Sequence, residues 1–267
     1  VVGVESDDQY SILLLDTASG EVLSRQKVPS GNDVVPVFAD DETVLLVGSF
    51  GVARWRITGT RAHRTLALSA RPPVDVSWAA CADVGLVSLT GRIVELRVDE
   101  DASVLELPGK TLAGQWRVRV GPAGDRALLL TAAEDANCTV LRGEIDAATG
   151  ELQLEENRER LPECEQAVWS PDGHSLWFYR GHDDSKDLGG NARIERRTWP
   201  DLTEAARWDG PIRESVDSGK GQVQTLATDG TWTIGGFRSG KLFCLGADGT
   251  EASETQGISK QRILSID

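Results

Sequence analysis

A chain of 267 residues with 40 % apolar and 26 % charged residues has the make-up of a folded globular protein, not a disordered one. Its formal net charge of −14 opposes phosphate backbones and argues against nucleic acid as a partner. No apolar run of about 18 residues occurs, so no helical membrane insertion is expected, and four cysteines without a C-x-x-C pair are too few for a disulfide-built scaffold.

The chain opens Val1-Val2-Gly3-Val4-Glu5-Ser6-Asp7-Asp8, without the basic start and apolar core of a signal peptide. It contains no methionine, which reads as a processed or excised domain of something longer. The compartment stays open on this reading.

In chain order, the first elements are short β-type runs at Val1–Ser6, Ser11–Asp16 and Glu21–Val28. Val34–Ala39, Thr43–Gly48, Val52–Thr58 and His63–Leu68 follow, then Val74–Ala79, Gly85–Leu89, Arg92–Val98 and Ser103–Leu107. A further set is Gln115–Val120, Arg126–Thr131, Thr139–Asp146 and Glu151–Glu155. Next come Ala167–Ser170, His174–Tyr179, Ala192–Thr198 and Thr203–Trp208. The last full set is Gln222–Ala227, Thr231–Phe237, Lys241–Leu245 and Glu251–Thr255, and Lys260–Ile266 resembles a first strand alone. Gly, Asp and Pro turns separate the runs, and no helical periodicity appears.

Four strands per unit, at turn-to-turn spacings of about 40 to 57 residues, predict an all-β propeller of four-stranded antiparallel blades. Six turn signals favour six blades over seven, in one domain spanning residues 1–267. Val1–Ser6 and Lys260–Ile266 are expected to pair and complete the sixth blade, which removes free strand edges.

Trp169-Ser170-Pro171-Asp172-Gly173-His174-Ser175-Leu176-Trp177-Phe178 resembles the WD40-like repeat of TolB-type and related bacterial propellers. Gly121–Leu130 and Thr228–Ile234 are degenerate versions, and the Gly-His and Trp-Asp pairs of eukaryotic WD40 repeats are missing as a set. Leu15–Val22 and Ile145–Leu152 resemble the third-to-fourth-strand hairpin of quinoprotein-like propellers. The resemblance implies a fold, and a fold does not specify a function.

Motifs for chemistry are sparse. Gly235–Lys241 fits G-x-x-x-x-G-K, but Leu242 stands where Ser or Thr should hold magnesium, and no helix follows. Ser24-Arg25-Gln26-Lys27 fits S-x-x-K, yet residues three apart on a strand face opposite ways. His63, His174 and His182 have no partner at zinc spacing, and no G-x-S-x-G elbow exists. No cofactor or metal is therefore expected. Asp183, Asp184 and Asp187, beside Gly189-Gly190, are oxygen ligands in principle, but their spacing fits no established calcium loop.

Loops between second and third strands and loops between blades share one face. The longest loops are expected there: Leu107–Gln115, Thr131–Cys138, Asn157–Cys164, Arg180–Arg193 and Asp209–Gln222. Candidate binding residues are Arg180, His182, Asp183, Asp184, Asp187, Arg193 and Arg213. Trp116, at the start of an inner strand, is the tryptophan singled out for ligand contact; the others read as packing between blades. Cys138 and Cys164 sit near that face and form a candidate disulfide in an oxidising compartment, the other reading being two buried thiols. Asn137-Cys138-Thr139 also matches a glycosylation acceptor.

The expected function is a non-catalytic scaffold that displays long loops to protein partners. The alternatives are a sensor propeller for a small ligand or glycan, and a propeller hydrolase or lyase.

Overall fold

The computed structural model describes residues 2–4, 11–15, 22–27, 34–40, 42–57, 63–66, 73–79, 82–98, 104–131, 137–146, 148–162, 164, 166–180, 192–210, 223–237, 242–246 and 252–255. Among these residues the regular structure is β, with no α-helix. The chain divides into two compact units, residues 1–131 with 140–159 and residues 132–139 with 160–267.

Four sheets build the first unit. Sheet A holds β1 (Val2–Val4), β2 (Ser11–Leu15) and β3 (Val22–Lys27); sheet B holds β4 (Val35–Asp40), β5 (Thr43–Gly48), β6 (Gly51–Arg56) and β7 (His63–Leu66). Sheet C holds β8 (Asp75–Ala79), β9 (Val84–Leu89), β10 (Arg92–Val98) and β11 (Val104–Thr111). Sheet D holds β12 (Trp116–Val120), β13 (Arg126–Thr131), β14 (Asn137–Ile145) and β15 (Leu152–Pro162); the open end of its β14–β15 hairpin falls in the second unit. The second unit contains sheet E, with β16 (Gln166–Trp169), β17 (Ser175–Arg180), β18 (Ala192–Thr198) and β19 (Thr203–Gly210). Its sheet F has β20 (Val223–Thr228), β21 (Trp232–Phe237), β22 (Leu242–Gly246) and β23 (Ala252–Thr255). Every sheet is an antiparallel meander in chain order, the propeller pattern of small sheets.

Sheets covered on both faces explain why some strands are apolar without interruption. In β5 all six residues are buried, and the period of two divides them. Val44 and Leu46 join Ile12, Leu14, Ala53 and Trp55 between sheets A and B. Leu45 and Val47 face the other way, onto Val76, Val87, Leu89, Val94 and Leu96 of sheet C. β9 repeats the device, with Leu86 turned toward Trp116, Val118, Leu129, Leu141 and Leu152 of sheet D. β12 keeps clean alternation: Trp116, Val118 and Val120 are buried while Arg117 and Arg119 are partly exposed. In the second unit Trp177, Tyr179 and Ile194 pack on Leu226 and Leu245.

Edge strands are managed by side chains. The Val118 amide of β12 donates to Asp75 Oδ2 at 3.0 Å, and the Val120 amide donates to Ser77 Oγ at 2.8 Å. Asp75 also holds the Arg119 guanidinium. These bonds from β8 satisfy amides that a bare sheet edge would leave open.

The strands fall where the sequence places them, but the blade count differs. The described residues form five four-stranded blades, not six or seven, and sheet A has three strands. Val2–Val4 is a strand paired with Ser11–Leu13, as β1 against β2, while Lys260–Ile266 lies outside the described residues. Two expected long loops are also strand for most of their length. β11 runs on to Thr111 through Pro108-Gly109, and β15 runs on to Pro162 through a charged stretch. Both are last strands of their sheets, where Pro and full solvation are tolerated, so neither carries an apolar signature.

Candidate functional site

At one end of sheet D lies an open hollow of about 420 Å³ lined by Asp125, Arg126, Glu144, Ile145, Asp146 and Gln153. The β12–β13 turn and the β14–β15 hairpin build it together. The Ile145 amide donates to the Asp125 carbonyl at 2.9 Å, and Arg126 pairs with Asp125 at 3.4 Å. Asp146 is committed to its turn: its Oδ1 accepts the Thr149 amide at 2.7 Å, the Thr149 hydroxyl at 3.0 Å and the Ala148 amide at 2.9 Å. Those bonds hold its carboxyl below the usual aspartate range. The hollow is polar and net acidic, and Arg126 is its one cation.

Short Asp turns also join the first two strands of each sheet in the second unit. The Ser170 hydroxyl and the His174 amide hold the Asp172 carboxyl low. The Trp232 and Thr231 amides do the same for Asp229. Gly173, at φ 68°, supplies the left-handed residue this turn requires. Asp172 and Gly173 therefore act as turn formers, and the Ser170 hydroxyl oxygen joins the turn by accepting the Ser175 amide at 3.0 Å.

Trp116 is placed in the core. It is 2 % exposed, sits in the cluster between sheets C and D, and donates its indole Nε1 to the Ala113 carbonyl at 2.8 Å. No face of the ring is left for a ligand. Replacing Trp116 by Ala is expected to cost about 3–5 kcal/mol of stability, the range for emptying a large aromatic site. Denaturant titration checks this, and loss of a ligand contact at unchanged stability is the contrary result.

Arg180 ends β17 opposite Arg193, which begins the described part of the facing strand after Ala192. The Arg193 guanidinium lies 3.6 Å from Glu195 Oε1. His182, Asp183, Asp184, Asp187 and Arg213 lie outside the described residues. Cys138 and Cys164 are bonded, with Cα atoms 5.8 Å apart, and Cys244 is a free thiol whose pKa is pushed up by burial. Gly235 and Gly236 lie inside β21 paired with Phe243 and Leu242, so the start of the P-loop-like stretch is strand, and residues 238–241 lie outside the described residues. Among the described residues no group of three or more His, Cys, Asp or Glu is arranged to hold a metal.

Two charged clusters escaped the sequence reading. On β18, Glu195 is 2 % exposed and accepts Arg197 Nε at 3.0 Å and Nη2 at 2.7 Å. On β10, Glu95 is 1 % exposed, and neither carboxyl oxygen makes a hydrogen bond of ordinary geometry, although the Leu152 amide acts on the group. A charged residue at every second position was the available signal in Arg193, Glu195 and Arg197. It resembles an ordinary solvated strand face, and only burial separates the two.

No family model matches the chain, and no curated protein matches it. Among solved structures the chain is similar to a protein from Lactobacillus plantarum, with TM-score 0.63 and 15 % identity over 97 % of this chain and 81 % of that one. It is also similar to the hydrazine synthase of Kuenenia stuttgartiensis, with TM-score 0.58 and 13 % identity over 91 % of this chain and 72 % of that one. At these identities the likeness is one of fold alone.

Proposed function

We propose that the chain is a non-catalytic interaction scaffold of bacterial type, with degenerate WD40-like, TolB-type repeats, whose protein partner is met by long connections at one end of the sheets. One observation carries the reading. In the second unit the two longest connections, residues 181–191 and 211–222, join β17 to β18 and β19 to β20. In antiparallel meanders those junctions fall at the same end, and β16 packs beside β20, so the two connections leave neighbouring sheets together. Rigid sheets that fix the ends of a long connection lower the entropy lost when it binds. The opposite ends carry tight Asp turns whose carboxylates are occupied by their own backbone.

Charge reversal separates the ends. Arg180→Glu with Arg213→Glu is expected to abolish co-purification of a protein partner from the source cells, while Arg126→Glu at the hollow leaves it intact. Loss on Arg126→Glu alone would move the contact to the hollow. Saturable binding of a glycan or small molecule by calorimetry, unaffected by the double reversal, would favour the sensor reading.

A further inference from the structure

Glu95 stands where the ladder of sheet C is irregular. The β10–β11 register slips by one residue between Ile93 and Glu95, so Pro108 and Gly109 together face Val94. Only glycine fits there, because a Cβ on residue 109 would lie 2.0 Å from the Ile93 carbonyl oxygen. Such bulges re-aim side chains, and this one sits beside a carboxyl buried against sheet D.

The surroundings of that carboxyl are specific. Its ladder partners are Leu86 on β9 and Leu107 on β11. On its own strand face, Ile93 lies in the apolar core, and Arg97 donates Nη1 to the Ala148 carbonyl at 2.9 Å. The charged groups facing it from other elements are Lys110 of β11 and Glu151 at the end of the β14–β15 turn. These two pair with each other at 3.0 Å. The turn rests closely on sheet C: a Cβ on Gly150 would lie 2.6 Å from Leu107 Cδ1. Glu195 shows the contrast, since a buried glutamate there has arginines two residues away on both sides and binds them.

We propose that Glu95 is a proton-controlled latch for the β14–β15 turn. With the carboxyl neutral, Lys110 and Arg97 hold the turn on sheet C. When Glu95 releases its proton to solvent, the carboxylate draws Lys110 from Glu151 and the turn loosens. Because Glu144, Ile145, Asp146 and Gln153 of the same hairpin line the hollow, the latch couples pH to the shape of that hollow.

The direction of the response follows from the carboxyl's position. Burial raises its pKa above the ordinary glutamate value, with Glu151 acting the same way and the Leu152 amide and Lys110 acting against. Between the unfolded and folded values the folded chain holds the extra proton. The seating of the turn is therefore complete below the unfolded value and is lost as pH rises through the folded one.

Amide hydrogen exchange in the intact chain tests the latch, over about pH 4 to 8 and corrected for intrinsic exchange. The reporters are the amides of Asp146 and Gly150, which donate to the Glu151 and Asp146 carbonyls at 3.0 and 2.7 Å. Their protection is expected to fall roughly tenfold for each pH unit separating the two pKa values, and Glu95→Gln is expected to give a flat profile. A flat profile in the parent, or the same slope in Glu95→Gln, overturns the proposal. Should Glu95→Gln fail to fold, carboxyl carbon NMR of the parent decides: one glutamate titrating above the rest supports the latch, and Glu95 titrating with the exposed ones removes it.

Discussion

Replacing Arg197 by Met is expected to destabilise the second unit by about 3–5 kcal/mol, the cost of leaving a buried carboxylate without its partner. The guanidinium is the main counter-charge of Glu195 and also donates Nη1 to the Leu202 carbonyl at 2.7 Å. Leu202 is buried at φ 51°, a left-handed conformation that a branched side chain adopts at a cost, and the Arg197 bond helps to hold it. Arg193, at 3.6 Å from the other oxygen and more exposed, does not replace these bonds. Removing both charges, as Glu195→Met with Arg197→Met, is expected to recover much of the loss, because an apolar pair of similar volume avoids the desolvation of two ions. Urea titration of the singles and the double checks the coupling. Additive losses in the double would show that the pair matters only through its packing.

Opening the Cys138–Cys164 bridge is the second large effect. The bond spans a sequence separation of 26, for which chain-entropy arithmetic gives about 3.5 kcal/mol at 25 °C. It closes the open end of the β14–β15 hairpin, where β15 is charged and exposed over residues 155–158 and has little apolar burial to hold it. Cys138→Ala with Cys164→Ala is expected to lower the thermal midpoint, and a reductant is expected to lower the parent by a similar amount while leaving the variant unmoved. A parent indifferent to reductant contradicts the bridge's role.

Much of this architecture was legible because strand and turn signals are local. SILLL, TVLLVG and VGLVSL are β-branched and Leu-rich runs between Gly and Asp turns, and each became a strand within a residue or two of its expected limits. The blade count was not legible to the same degree, because it depends on which strands find partners far away in the chain. Strand length failed where solvent hides the pattern: residues 157–160 of β15 read as loop because an outer strand exposed on both faces needs no alternation. Trp116 was ambiguous for another reason. A tryptophan beginning an inner strand looks the same whether its ring stacks on a ligand or fills the core, and only the Ala113 bond and its burial decide. Glu95 carried no sequence signal, since Val94-Glu95-Leu96-Arg97 and Ile194-Glu195-Arg196-Arg197 read alike. Their difference lies in Arg97, which is turned to Ala148, and in Ile93, which stands where an arginine supports Glu195.

The most direct test of the interaction reading is differential hydrogen exchange of the chain with and without its captured protein partner. The scaffold account predicts added protection in peptides covering residues 180–193 and 210–223, with the turns at 146–151, 170–174 and 229–232 unchanged. Protection confined to those turns, with none at the long connections, would contradict it.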